Sequence, residues 1–99
     1  MLNSRQRAQL RGMANTFETI FQIGKSGVSE NLIEQVSAAL YARELIKLKV
    51  LETAPKSVRD TAEEVAAGCG ADVVQVIGSK FILYKHSNNK DITPIKLVK

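Results

Sequence analysis

The sequence predicts a mixed α/β domain of the α+β two-layer type, with helices packed on a mixed four-stranded sheet in the order α-β-α-β-α-β-β. Three observations predict it. Apolar residues recur at helical spacing in three segments, each with start or stop signals. Strand-like runs alternate with those segments, which implies parallel pairing through right-handed crossovers. The last two runs, Val73 to Ile77 and Phe81 to Tyr84, are separated only by Gly78-Ser79-Lys80, which predicts an antiparallel hairpin.

Each element has its own signal. Ser4 is placed to cap a first helix that runs to about Ala14, with Leu10, Met13 and Ala14 on one face. Thr16 to Ile23 is rich in β-branched and aromatic residues and reads as the first strand. Gly24-Lys25-Ser26-Gly27 breaks it. Ser29 then caps a second helix, with Glu30 in its first turn and Leu32, Ile33, Val36, Ala39 and Leu40 as its buried stripe. From Leu45 to Leu51 the pattern alternates, so Ile46, Leu48 and Val50 share one face and Lys47 and Lys49 the other. Ser57 with Asp60 resembles a capping box for a third helix, whose stripe is Val58, Ala62, Val65 and Ala66 and which Gly68 and Gly70 stop. After His86 the chain turns polar. Residues 1–86 are therefore expected to form one domain and residues 87–99 a polar C-terminal tail, partly ordered near Ile92 to Leu97.

With 99 residues, one domain is the natural expectation. Hydrophobic residues make up 44% and charged residues 24%, as in an ordinary globular protein. The single cysteine, Cys69, forbids an intrachain disulfide and fits a reducing compartment. Arg5, Arg7 and Arg11 interrupt any signal-like start, and no apolar run approaches the roughly 20 residues that a membrane span needs. A cytoplasmic, monomeric protein without a membrane partner is the expectation.

The net charge is only +4, so its distribution matters more than its size. Glu30, Glu34, Asp60, Glu63 and Glu64 fall on the outer faces of the second and third helices. The bases lie elsewhere: Arg5, Arg7 and Arg11 on the first helix, Lys25 in the glycine loop, Lys47 and Lys49 on one strand face, Lys80 and Lys85 around the hairpin. Arg7 and Arg11 are one helical turn apart. Such segregation attracts a polyanion; the alternative is that these lysines merely solvate a sheet face.

The loop is the sharpest feature. Gly24 and Gly27 permit close backbone approach or positive φ, Lys25 adds a cation and Ser26 a hydroxyl. It lies between a strand and a helix N-terminus, where free N–H groups and the positive end of the dipole meet an anion. A loop of this kind holds phosphates of a single strand in KH domains. A tight turn with glycine for geometry alone is the competing reading. No Ser–His–Asp set, Walker loop or zinc spacing is present. His86 is lone, Cys69 reads as a small buried thiol, and Glu63 and Glu64, being adjacent, point in different directions. Tyr41 and Tyr84 read as rim or core residues. The expectation is a non-enzyme with no cofactor, catalytic residue, metal site or small-molecule substrate.

The stretch Ile23-Gly24-Lys25-Ser26-Gly27-Val28-Ser29-Glu30, continuing to Glu44-Leu45-Ile46-Lys47-Leu48-Lys49-Val50, resembles the YhbY-like CRM domain (chloroplast RNA splicing and ribosome maturation), an RNA-binding family. Leu10-Arg11-Gly12-Met13-Ala14, Gln75-Val76-Ile77-Gly78 and Leu83-Tyr84-Lys85 extend the likeness over residues 4–85. The resemblance implies a fold similar to the C-terminal domain of translation initiation factor 3. It also implies a role on precursors of the large ribosomal subunit, as for stand-alone bacterial members, or in intron splicing, as for organellar ones. It places the RNA contact on Gly24 to Gly27. One departure is Glu18-Thr19, where many members have a proline entering the first strand. The resulting expectation is binding to ribosomal RNA or its precursor through Gly24, Lys25, Ser26 and Gly27, extended by Arg7, Arg11, Lys47, Lys49, Lys80 and Lys85. The alternative is a protein-interaction module that docks a ribosomal or splicing protein through its sheet. A nucleotide-using enzyme is disfavoured because it would lack a general base and metal ligands.

Overall fold

A computed structural model describes residues 2–99. Its elements are α1 (Ser4–Ala14), β1 (Phe21–Ile23), α2 (Glu30–Arg43), β2 (Leu45–Val50), α3 (Val58–Cys69), β3 (Asp72–Ile77) and β4 (Lys80–Tyr84). The expected mixed α/β order and four-stranded sheet are present. The sheet order is β1-β2-β4-β3. β1 and β2 are parallel, and β4 is antiparallel to both β2 and β3. β2 and β3 therefore point the same way, as the alternation predicts, but β4 lies between them. Composition explains the insertion. Phe81, Ile82, Leu83 and Tyr84 are all buried, so β4 is apolar on both faces and belongs in the middle of the sheet.

The helices do not share one face, so the layering is α/β/α rather than two-layer. Ile46, Leu48, Val50, Phe81 and Leu83 pack with Val36, Leu40, Ala62 and Val65 of α2 and α3. Alternate residues Leu45, Ile82 and Tyr84 point the other way and pack with Leu2, Leu10 and Ala14 on the α1 side.

Two boundaries differ from expectation. Asn3, not Ser4, caps α1: its side chain accepts from the Gln6 amide at 2.8 Å while Gln6 Oε1 accepts from the Asn3 amide at 3.0 Å. Strand β1 begins at Phe21, not Thr16. Phe21 is paired with Leu48, so the same register would set Thr16 and Phe17 against Arg43 and Glu44, the end of α2. No extended partner exists there, and the Phe17 amide turns back to the Ala14 carbonyl. The caps at Ser29, Ser57 and Gly70 are where the sequence places them.

The polar C-terminal segment is docked, not a separate tail. Ile95 and Leu97 pack against the α1-side cluster. Gln6 and Gln9 of α1 donate to the carbonyls of Val98 and Lys96 at 2.9 and 2.8 Å. The anchor is Glu44, which closes α2 with φ +65 and is 1% exposed. Its carboxylate accepts from the amides of Ser87 and Ile95, each at 2.7 Å, and lies 3.3 Å from His86 Nδ1.

Tyr84 gives this face a pH signature. Burial first, then the carboxylates of Glu44 and Asp72, push its phenol above the ordinary value of 10.0. Below about pH 10 the phenol is neutral in folded and unfolded chains, and its contribution is fully present. Above that, the unfolded chain ionises first, so stability falls as pH rises through the folded pKa. Denaturant midpoints measured across alkaline pH should show a shallower decline for Tyr84→Phe than for the parent.

Candidate nucleic-acid interface

The topology gathers three connections at one end of the sheet. β1, β2 and β3 all finish there and β4 starts there. The Leu51 amide donates to the Ile23 carbonyl at 2.9 Å, and the Val50 amide to the Ser79 carbonyl at 2.7 Å. These bonds fix the glycine loop, the start of the β2–α3 connection and the hairpin turn beside one another.

The loop is a closed turn, with the Gly27 amide donating to the Gly24 carbonyl at 2.9 Å. Lys25 and Ser26 lie at its tip and are exposed. Ser29 Oγ accepts from the Leu32 amide at 3.1 Å, leaving the amides of Glu30 and Asn31 without a helical partner. Those groups and the helix dipole favour an anion.

The two glycines have different causes. Gly27 has φ +66, and an added Cβ would lie 3.0 Å from Pro55 Cγ, so backbone geometry alone demands glycine. Gly24 has no such demand. A Cβ there would meet Thr53 Oγ1 at 3.5 Å and Leu51 Cδ1 at 3.6 Å, ordinary contacts. A turn requirement explains Gly27 and does not explain Gly24. Gly27→Ala should therefore lower stability by about 1–2 kcal/mol, while Gly24→Ala changes it little. Chemical denaturation of both variants checks this.

The surroundings of the loop are two-sided. Toward β1, a cleft of about 310 Å³ is lined by Gln22, Lys25, Ser26, Asn31, Leu32 and Gln35, among others, with no carboxylate. Toward α3, Glu30, Glu34 and Glu64 line a separate groove, and Lys56 pairs with Glu64 at 2.9 Å. An anion is thus favoured on the β1 side and repelled on the other.

Cross-strand register adds a second group of bases. Lys49 is paired with Gln22 on one side and Lys80 on the other, and Lys80 with Ile77. Directly paired residues share a face, so Gln22, Lys49, Lys80 and the 55% exposed Ile77 form a row across the loop end of the sheet. α1 covers the part of this face around Leu45 and Ile82 and leaves the row open. Like charges directly opposite each other disfavour folding, and neither lysine has an ion pair among the described residues.

The other expected contact residues are placed differently. Lys47 Nζ donates to the carbonyls of Ala14 and Phe17 at 3.3 and 3.4 Å, at the end of α1. Lys85 Nζ donates to the Cys69 carbonyl at 2.8 Å, at the end of α3. Arg7 donates to the Val73 carbonyl on β3. These three bases engage backbone carbonyls, two of them at the negative ends of helices. Arg11 is exposed on α1. The structure thus gathers Lys25, Lys49 and Lys80 at one end and disperses Arg7, Arg11, Lys47 and Lys85. Gln22, Asn31 and Gln35, which also line the cleft beside the loop, were not singled out from the sequence. Asn31 and Gln35, four apart immediately after the loop, were the available signal. Cys69 is buried as expected, with Sγ 3.7 Å from the Ile33 carbonyl. No helix among the described residues is long and apolar enough to cross a membrane.

A four-stranded mixed sheet that presents a glycine loop at a helix N-terminus, beside lysines with no ion pair among the described residues, defines a class of small α/β module. The chain belongs to the CRS1 / YhbY (CRM) domain family, which it matches over residues 2–85. It is 44% identical over 93 residues to the Bacillus subtilis protein named "Probable RNA-binding protein YqeI", covering 93% of this chain and 97% of that one. It is 28% identical over 91 residues to a Haemophilus influenzae protein named "RNA-binding protein", covering 92% of each. The solution structure of a hypothetical protein from Staphylococcus aureus superposes with a TM-score of 0.76 at 40% identity, covering 96% of this chain and 100% of that one.

Proposed function

We propose that this chain is a non-catalytic RNA-binding module of the cytoplasm that holds the phosphates of a single strand on Gly24, Lys25, Ser26 and Gly27. Lys49 and Lys80 extend the grip along the end of the sheet. Arg7, Arg11, Lys47 and Lys85 contribute to the longer-range field. The RNA is ribosomal RNA or its precursor, and the chain assists assembly of the large subunit. The RNA-binding names of its relatives support the first part of this reading. Its central observation is the exposed loop tip, with free amides of α2 behind it and a carboxylate-free cleft beside it. Phosphate contacts of this kind position RNA and carry little sequence information.

Docking of a protein partner through the sheet has little surface to use. α1 and the C-terminal segment cover one face, and α2 and α3 cover the other. The open row at the loop end carries two unpaired lysines, which suit a polyanion.

Salt dependence tests the proposal. If four to six phosphates of a single strand are neutralised, log K falls with log salt at a slope of roughly −3 to −4. Fluorescence anisotropy with a labelled oligonucleotide at several salt concentrations measures it. A slope near zero refutes phosphate gripping.

A further inference from the structure

We infer that the outward face of α1, with the C-terminal segment clamped to it, is a second RNA contact that takes the backbone of a duplex adjoining the single strand held by the loop. This inference rests on the reading of the chain as an RNA binder and goes beyond it. Arg11 becomes a direct contact rather than a distant charge, and Arg5, Gly12 and Lys96 join it.

The charge of the molecule is divided between its two helical layers. α1 and residues 87–99 carry six arginines and lysines and one carboxylate, Asp91. α2 and α3, on the opposite face of the sheet, carry two arginines and five carboxylates. A polyanion is drawn to the α1 side and turned away from the other.

The C-terminal segment is held so that its lysine stays outward. Gln6 and Gln9 donate to the carbonyls of Val98 and Lys96, and the Val98 amide donates to Gln9 Oε1 at 2.9 Å. Ile95 and Leu97 turn inward, and Lys96 between them is exposed. Arg5 stands one turn before Gln9, so it lies on the flank of α1 nearest Lys96. Arg11, also exposed, falls on the other flank by the helical period. None of the three has an ion pair among the described residues. Cations gathered without a carboxylate between them repel one another, and an external anion relieves this.

Between the two arginines the outward positions are Ala8 and Gly12, both exposed. Gly12 has no positive φ, and a Cβ added there would meet nothing within 4 Å. A glycine inside a helix is destabilising relative to alanine, and no contact within the molecule calls for it. An RNA backbone crossing α1 at this point, with an arginine on either side, gives the position a use. α1 and residues 87–99 contain no aromatic residue. The outer side of a helix without aromatics offers unstacked bases nothing to stack on, so it suits a backbone. A-form duplexes are recognised in this way, through phosphates and 2′-hydroxyls.

The test uses the full chain and compares a labelled oligouridylate with the same oligouridylate joined to a hairpin stem, as a 5′ tail in one RNA and a 3′ tail in another. One stemmed RNA should bind more tightly than the bare tail, with a salt slope steeper by about 2–3, as for three duplex phosphates. Arg5→Gln, Arg11→Gln and Lys96→Gln together should remove that extra slope and leave binding of the bare tail unchanged; glutamine suits the two helical positions as well as arginine does. Gly12→Gln changes no charge, and it should raise the urea midpoint yet weaken the stemmed RNA several-fold. Stemmed and bare RNAs that bind alike, or a triple variant that keeps the extra slope, overturn the second contact. Equal weakening of both RNAs by the triple variant shows a long-range field only and overturns it as well. Parental affinity of Gly12→Gln for the stemmed RNA overturns the crossing at α1. A bare tail without salt-dependent binding, with the stem still held through these three bases, sinks the loop grip instead and supports this surface.

Discussion

A Lys25→Glu, Ser26→Glu variant is expected to bind single-stranded RNA about a hundredfold more weakly than the parent, with an unchanged denaturation midpoint. Two effects add. The variant loses the cation at the loop tip and places two carboxylates where phosphate oxygens would lie. A pair of charges at contact distance is worth about 1 kcal/mol in bulk water and about 4 kcal/mol near a protein surface. The screened sum is about 3 kcal/mol, which is the hundredfold. Stability should hold because both side chains are exposed and the turn is closed by backbone atoms of Gly24 and Gly27. Acids near the start of α2 also suit its dipole. Anisotropy titration beside a urea melt separates the two readouts. Unchanged affinity with an intact fold would move the phosphate site away from this loop.

The largest stability effect should come from Glu44→Ala. Removing this carboxylate strands the amides of Ser87 and Ile95, both now bonded to it at 2.7 Å. Each unsatisfied buried donor costs about 1–3 kcal/mol. The strain of φ +65 is common to glutamate and alanine and cancels in the comparison. A loss of about 2–5 kcal/mol in urea unfolding is expected, together with faster amide exchange at Ser87 and Ile95. Glu44→Gln keeps an acceptor oxygen and should lose less. If Glu44→Ala unfolds at the parental midpoint, the C-terminal segment is not held by this carboxylate.

Much of the fold was legible because its signals are local. The serine caps of α2 and α3, the glycine after α3 and the alternation of β2 each state a backbone preference within a few residues. What was not legible depends on partners far along the chain. Thr16 and Phe17 lie in a run of strand composition, yet the end of α2 occupies the place where their partner would be. Ile95 and Leu97 fall in the stretch expected to be partly ordered, but the surface they pack on exists only once α1 lies beneath them. Sequence reading gave Glu44 no structural role, because nothing nearby in sequence announces the Ser87 and Ile95 amides.

The site divides the same way. The loop motif is contiguous, so sequence alone located it. The bases are scattered, and tertiary structure decided which of them stay free. Lys49 and Lys80 sit side by side through strand register, while Lys47, two residues away, bends onto the end of α1. Composition could not distinguish them.

The central position of β4 governs the order in which this chain can assemble. β1 and β2 are complete by Val50, but β3 has no neighbouring strand until Lys80 to Tyr84 has formed and slid between them. A chain emerging from the ribosome would therefore hold a helix-flanked half-sheet with the inner edge of β2 bare until its last strand is synthesised. Long-range pairings of this sort slow the search for the native state, and an unpaired apolar edge invites association with other chains. Because β3 and β4 are joined by a short turn, pairing them first and docking the hairpin on β2 as a unit would shorten that exposure.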